Sequence, residues 1–143
     1  MVIPAQERLG LDVKRAEQAL MTAKSAAVRS AKLTVPQYAA LLGLADNPGI
    51  SGAALARLCQ VTPQNMAVVL RNLDERGLVE RTPHEWHRNV VEARLTDSGL
   101  RALRAADAEV ARIEQRIADE FAPEEREALR ALLGRCVKAI RAE

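Results

Sequence analysis

Aromatic side chains are scarce in this sequence: Tyr38, Trp86 and Phe121 are the three that occur among 143 residues. A pocket lined by aromatic rings therefore has little material to form from. Cysteine is nearly as rare, and Cys59 and Cys136 lie far apart, each within an apolar pattern of helical period. This pattern favours two free cysteines that pack in the core of a protein from a reducing compartment. It does not indicate a disulfide framework.

Long apolar runs are also missing, since no stretch reaches the roughly 18 residues that a membrane-spanning helix needs. The N-terminal residues do not follow the basic-then-apolar layout of a signal peptide. We therefore expect a cytoplasmic protein without a membrane partner, folded as a single domain over residues 1–143.

The sequence contains no Gly-rich phosphate loop, no nucleophile motif and no close pair of carboxylates on one face. These are patterns on which many active sites are built, so we expect neither catalysis nor a cofactor. His84 and His87, with Glu85 between them, could suggest a metal site. Two histidines on a loop, without further clustered ligands, are too few for a typical metal site, so no metal is expected.

The formal net charge is only +2, which by itself does not indicate a nucleic-acid partner. Residues 1–33 carry six Lys and Arg against three Asp and Glu, whereas residues 34–96 carry six of each sign. Net basicity supplies only the nonspecific part of DNA binding. A DNA-binding hypothesis must therefore rest on geometry and on a few well-placed cations.

Apolar residues three or four positions apart predict a long amphipathic helix over residues 5–31. A second helix begins after Thr34, which forms a capping-box pattern with Gln37, and it ends before the turn residues 46–49. Ser51 is the expected N-cap of a short third helix. Thr62 is the expected N-cap of a fourth helix, in which a proline occupies the first position.

The fourth helix has one apolar face and closes at Gly77. Its apolar positions are Met66, Val69, Leu70 and Leu73. Two β-favouring runs, 78–81 and 90–95, then predict a hairpin around a polar tip. Thr96 caps a long helix with near-heptad apolar spacing, and a final amphipathic helix follows Pro123.

This order of elements predicts a mainly α protein with a small β-hairpin. Two short helices joined by a tight turn and followed at once by a hairpin form a winged helix-turn-helix. We assign this lobe to residues 34–96, between long helices at 5–31 and 97–142. In such a lobe the fourth helix places its polar N-terminal turn in a DNA major groove of about 12 Å width.

The outward side chains of the fourth helix are the candidate DNA-reading groups. Gln64 and Asn65 can pair with adenine, and Arg71 can reach guanine or a phosphate. Val68 can contact a thymine methyl group or nothing. The candidate set also includes Ser51 and Thr62. Because any helix has a polar side, a merely solvated surface is the alternative.

At the hairpin tip, Arg88 is the candidate for a minor-groove contact, because a narrow minor groove concentrates negative potential. Arg81 and Arg94 lie on the two arms. The alternative is an ordinary exposed arginine, partly neutralised by Glu85. His87 could make a contact at the tip weakly sensitive to acid pH, since imidazole titrates near neutrality.

Five segments form a pattern that extends from the second helix to the start of the fifth. They are Leu33-Thr34-x-x-Gln37-Tyr38, Leu55-Ala56, Val61-Thr62-Pro63-Gln64, Leu73-Asp74-Glu75-Arg76-Gly77-Leu78-Val79-Glu80-Arg81 and Leu95-Thr96-x-x-Gly99. In order and spacing this pattern resembles the MarR family of bacterial transcriptional regulators. The resemblance covers nearly the whole chain and implies a repressor of a pseudo-palindromic operator, often released by a small ligand or an oxidant.

The resemblance also implies a homodimer formed by the first and the last two helices. The candidate interface residues are Leu9, Val13, Leu129, Leu132, Leu133, Val137 and Ile140. Two linked reading helices, spaced by one DNA turn of about 34 Å, would act on one site together. The chain departs from the family at the wing tip, where His87-Arg88-Asn89 replaces the usual Asp-x-Arg, and at Val68, where arginine is common.

Three alternatives remain open at this point. The family includes oxidant sensors, although neither Cys59 nor Cys136 has a local sequence that would produce a low-pKa thiolate. Tyr38 could form the edge of an effector pocket, or it could be a half-buried core tyrosine. The neutral lobe, Val68 and the altered tip also permit a winged-helix protein-interaction module that has lost DNA binding.

Overall fold

A computed structural model describes residues 1–83, 86 and 91–142 of the chain. The expected fold class is confirmed, since the described residues form helices and one antiparallel hairpin. After a short 3-10 turn at Ala5–Glu7, the elements are α1 (Leu9–Arg29), α2 (Val35–Asp46), α3 (Gly52–Cys59), α4 (Pro63–Glu75), β1 (Val79–Pro83), β2 (Val91–Leu95), α5 (Asp97–Glu120) and α6 (Pro123–Arg141). None of the helices in the described ranges has the length and apolar character of a membrane span.

The chain forms two compact units, Met1–Val110 and Ala111–Glu143. Helix α5 begins in the first unit and ends in the second. The assignment of residues 1–143 to one domain, with dimerisation helices at both ends, stays a prediction.

The N-caps expected from the sequence are present. The Thr34 hydroxyl accepts the Gln37 amide at 3.2 Å, while the Gln37 side chain accepts the Thr34 amide at 3.0 Å. Ser51 caps α3 by accepting the Ala54 amide at 3.2 Å. Each side chain satisfies an amide that has no partner inside its own helix, which fixes where the helix begins.

Helix α1 is shorter than the predicted 5–31. Arg8 has an extended backbone, with φ −83° and ψ 104°, so the continuous helix begins only at Leu9. At the other end Lys32 has a φ of 59°, and the Leu33 amide bonds back to the Val28 carbonyl at 3.1 Å. This left-handed residue with a six-to-one backbone bond is a Schellman ending, and it stops the helix before residue 31.

The core of the first unit lies among α2, α3, α4, the start of α5 and the base of the hairpin. Its fully buried large side chains are Val28, Leu41, Leu44, Leu55, Met66, Leu73 and Val79. Helices α2 and α3 approach closely at Gly43, where a Cβ would lie 2.7 Å from the Leu55 Cδ1 atom. A side chain larger than hydrogen at this position would force the buried Leu55 side chain to shift.

The hairpin pairs β1 with β2 from Val79 opposite Leu95 to Pro83 opposite Val91. A third segment, which the sequence indicated only as a turn, adds to its edge. The Gly49 amide donates to the Ala93 carbonyl at 3.2 Å, and the Ala93 amide donates to the Ile50 carbonyl at 3.3 Å. The turn before α3 therefore holds β2 directly against the helix-turn-helix.

In the second unit, α5 and α6 meet through a short connection at Ala122. The Arg126 guanidinium donates to the carbonyls of Ala118 at 2.7 Å and Phe121 at 3.1 Å, which satisfies the last turn of α5. The Ala122 amide donates to the Glu125 carboxylate at 2.9 Å and so begins α6.

Candidate nucleic-acid interface

The start of α4 is built as a rigid, solvent-facing turn. Thr62 precedes the helix with an extended backbone, and its hydroxyl accepts the Asn65 amide at 3.1 Å. Pro63 takes the first helical position, where a missing amide costs nothing. The chain therefore enters α4 in one fixed direction, with the polar side chains of its first turn at the surface.

Helix α4 has the two faces that the sequence predicts. Met66, Leu70 and Leu73 are buried in the core. The four candidate reading residues, Gln64, Asn65, Val68 and Arg71, are all exposed. We call these four residues the reading face; their assignment to DNA contacts stays a prediction.

Ser51 lies at the start of α3, half-buried, with its hydroxyl already engaged in capping. Its backbone also bridges to Glu92 of β2. What this position can offer a phosphate is the amide end of α3 rather than a free hydroxyl. The same holds for Thr62, whose hydroxyl is engaged at the start of α4.

The far end of α4 is tied to the hairpin by an ion pair that sequence reasoning missed. Two nitrogens of the Arg81 guanidinium each lie 3.0 Å from one carboxylate oxygen of Asp74. Both side chains are partly exposed, at 33% and 41%. Arg81, expected only as a cation on the hairpin arm, thus connects β1 to α4.

A second tie fixes the base of the hairpin to α5. The Thr96 hydroxyl donates to the Gly77 carbonyl at 2.6 Å and accepts the Gly99 amide at 3.0 Å. A Cβ at Gly99 would collide with the Leu78 carbonyl oxygen. The Leu-Thr-x-x-Gly motif is therefore a packing requirement: threonine bonds in both directions and glycine makes room for the backbone.

Of the other two hairpin arginines, the structure describes Arg94 but not Arg88. Arg94 lies 3.5 Å from the Glu92 carboxylate, and its guanidinium rests above Gly49, which has a φ of 80°. Arg88, the candidate for the minor groove, lies outside the described residues. So do His84, Glu85, His87 and Asn89, on which the metal and acid-sensitivity hypotheses depend.

An open cleft of about 230 Å³ lies beside the reading face, between α3, α4 and the hairpin. Its described lining is mostly small or apolar, including Gly52, Ala53, Ala67 and Ala93, and holds no aromatic ring. Tyr38 is not part of it. That side chain is 5% exposed rather than half-buried, and its hydroxyl donates to the Asp107 carboxylate of α5.

The two thiols occupy partly buried positions. Cys59 donates a hydrogen bond to the Ala39 carbonyl at 3.6 Å, and burial raises the pKa of this thiol. A raised pKa lowers the thiolate fraction at neutral pH, which is the opposite of what an oxidant sensor needs. Among the described residues no group of three His, Cys, Asp or Glu is placed to hold a metal.

The candidate dimerisation residues form exposed apolar surface within each unit. On α1, Leu9 is 73% exposed and Val13 is 38% exposed. On α6 the exposed positions are Leu132, Leu133, Val137 and Ile140. Leu129 is the exception, because it is half-buried within the second unit.

Comparison with known proteins agrees with this geometry. A family model described as MarR family matches residues 31–88. The HTH-type transcriptional repressor Rv2887 of Mycobacterium tuberculosis is 36% identical over 125 residues, which cover 87% of this chain and 90% of the relative.

Solved structures give the same result. The transcriptional repressor CouR, bound to a 23-mer DNA duplex, is 31% identical with a TM-score of 0.84, covering 92% of this chain and 94% of that one. Mycobacterium tuberculosis Rv2887 in complex with p-aminosalicylic acid is 31% identical with a TM-score of 0.69, covering 90% and 98%. With this extent of identity along nearly the full length, the chain belongs to the MarR family of transcriptional regulators.

Proposed function

We propose that this protein is a sequence-specific DNA-binding regulator, a dimeric repressor of a pseudo-palindromic operator that a small ligand can release. The observation that carries the proposal is the reading face: four exposed side chains on a helix held at both ends. Its support is the likeness of nearly the whole chain to a repressor whose structure was solved bound to a DNA duplex. The role needs no catalysis, and action on chromosomal DNA would place the protein in the cytoplasm.

Each part of the lobe has a separate role in this proposal. Gln64 and Asn65 pair with adenine edges, and Arg71 contacts guanine or a phosphate. The amide ends of α3 and α4, at Ser51 and Thr62, receive phosphates and fix the register on the duplex. Arg88 would reach the minor groove, in line with the attraction of that groove for arginine.

Dimerisation is supported by the apolar side chains that α1 and α6 leave exposed. A single helix in one groove gives too few contacts for tight, selective binding, whereas two linked reading heads bind one operator together. A pseudo-palindromic operator then reflects the two-fold symmetry of the protein.

Release by a ligand is supported by relatives. Rv2887 was crystallised with p-aminosalicylic acid, a small aromatic acid. A ligand shifts the equilibrium away from DNA only if it binds the DNA-free conformation more tightly. We therefore propose a small organic effector that binds this protein better when the operator is absent.

The test is a DNA titration at two salt concentrations. The duplexes are DNA from around the protein's own coding region and a random-sequence pool, and the readouts are mobility and the emission of Trp86. This residue is the only tryptophan of the chain and is 80% exposed. We expect a dimer-sized, sequence-selective complex whose affinity falls steeply with salt, because phosphate contacts release counterions.

Substitution of Arg71 identifies its contact. We expect Arg71→Ala to reduce the free energy of DNA binding by about 1–3 kcal/mol per half-site. If Arg71 contacts a phosphate, the dependence of affinity on salt becomes less steep. If it contacts guanine, the preference for that base is relaxed. Arg15→Ala is the matched control, since Arg15 lies on α1 with its side chain 82% exposed. If the wild-type protein binds neither the coding-region DNA nor any member of the random-sequence pool selectively, the winged-helix protein-interaction module becomes the favoured function.

A further inference from the structure

Val68 is an exposed apolar side chain in the middle of the reading face. It is 45% exposed, with Gln64 one helical turn before it and Arg71 nearly one turn after it. The side chain has no hydrogen-bond donor or acceptor. Met66, Leu70 and Leu73 form the buried face of α4, and Val68 does not belong to the core.

A single exposed valine is ordinary on a protein surface, so exposure alone carries no conclusion. Here its position supplies the argument, because the proposed function places Gln64 against a base edge and Arg71 against guanine or a phosphate of the same groove. A side chain between them faces into that groove. It can gain free energy there only by covering an apolar group.

The major groove offers few such groups. Guanine, adenine and cytosine present donors and acceptors there, whereas thymine adds a C5-methyl group. We propose that Val68 is a specificity-determining residue that selects a thymine by contact with this methyl group. The inference rests on the proposed function, because it concerns the same reading face and names the base that this face prefers.

The helix geometry also limits where the thymine lies. Val68 is about 6 Å further along α4 than Gln64, from the rise of about 1.5 Å per residue. Successive base pairs are about 3.4 Å apart. The preferred thymine therefore lies within about two base pairs of the base that Gln64 contacts, once in each half-site.

The experiment begins with selection of an operator from a random-sequence pool by the wild-type protein. Each thymine of the selected half-site is then replaced by deoxyuridine, which removes only the C5-methyl group. We expect one position in each half-site at which deoxyuridine weakens binding by about fourfold, the value of one buried methyl-sized group. At that position 5-methylcytosine should bind more tightly than cytosine.

Two protein variants link this preference to Val68. Val68→Ala should lose most of the difference in affinity between the thymine and deoxyuridine operators, because its single methyl group reaches less far into the groove. Val91→Ala is the matched control, because Val91 is also 45% exposed but lies on β2. This control should keep the wild-type preference for thymine, and circular dichroism of both variants checks that they are folded.

The outcomes separate the two proposals. A selected operator without any deoxyuridine-sensitive position, or a Val68→Ala protein that keeps the sensitivity, would overturn the role of Val68 while the proposed function stands. Failure of the wild-type protein to select any sequence would overturn the proposed function and this inference with it.

Discussion

At the scale of single residues, three helix ends use the same left-handed backbone with different side chains. Lys32, Gln60 and Gly77 have φ values of 59°, 57° and 70°. In each case the amide of the following residue donates to the carbonyl five residues earlier, as at Val61, which donates to the Ala56 carbonyl at 3.0 Å. Only glycine adopts this conformation without steric cost, so two of the three positions carry strain.

Stability measurements should reveal this difference. We expect Gln60→Gly to raise the free energy of unfolding by about 1 kcal/mol, because it removes the left-handed penalty at an exposed position. Gly77→Ala should lower it by at least a similar amount. Gly10→Ala is the control, since Gly10 lies in α1 with open space around it, and it should raise stability by up to about 1 kcal/mol. Urea unfolding measures all three, and equal signs for the two Gly→Ala changes would contradict the interpretation.

At the scale of elements, the Asp74–Arg81 pair connects the reading helix to the hairpin. A partly exposed ion pair contributes only about 0.2–1 kcal/mol to stability, so its value lies in orientation. We expect Arg81→Ala to weaken operator binding severalfold while the unfolding midpoint hardly changes. Fluorescence anisotropy with labelled operator measures the first and urea unfolding the second.

Charge reversal distinguishes positioning from a direct DNA contact. The exchange Asp74→Arg with Arg81→Asp should recover much of the lost affinity, because the pair is restored in the opposite sense. Asp12→Asn is the control, since it breaks the Arg15 ion pair on α1 and should leave DNA binding unchanged. If the exchanged protein binds no better than Arg81→Ala, Arg81 contacts DNA itself.

The elements themselves could be predicted well because their boundaries depend on neighbouring residues. Thr34 with Gln37, Thr62 with Pro63, and Gly77 each act within one turn of the chain, so sequence spacing identifies them. The start of α1 could not be predicted in this way. Residues 5–8 contain no helix-breaking residue, and only the extended backbone of Arg8 separates the short 3-10 turn at Ala5–Glu7 from α1.

At the scale of the whole molecule, the exposed apolar positions of α6 predict association. We expect the wild-type protein to show twice the 15.6 kDa mass of one chain in light scattering. Val137→Asp should shift this equilibrium to the monomer, because a charge would be buried at the interface. Lys138→Asp, on the same helix, is the control and should remain dimeric. A monomeric wild-type protein would rule out the dimeric operator complex.

The sequence predicts only part of the candidate site. The outward direction of Gln64, Val68 and Arg71 follows from helical period alone. The Asp74–Arg81 pair and the pairing of residues 49–50 with Ala93 do not, because no local rule connects residues on different elements. These contacts between elements connect α4 and the turn before α3 to the hairpin.

A single residue, Thr96, connects the hairpin to α5. Strand β2 ends at Leu95, α5 begins at Asp97, and Thr96 between them bonds to the carbonyl of Gly77 and to the amide of Gly99. A change in the direction of α5 therefore cannot be taken up by a flexible linker. We expect the first turn of α5 and the base of the hairpin to rotate together.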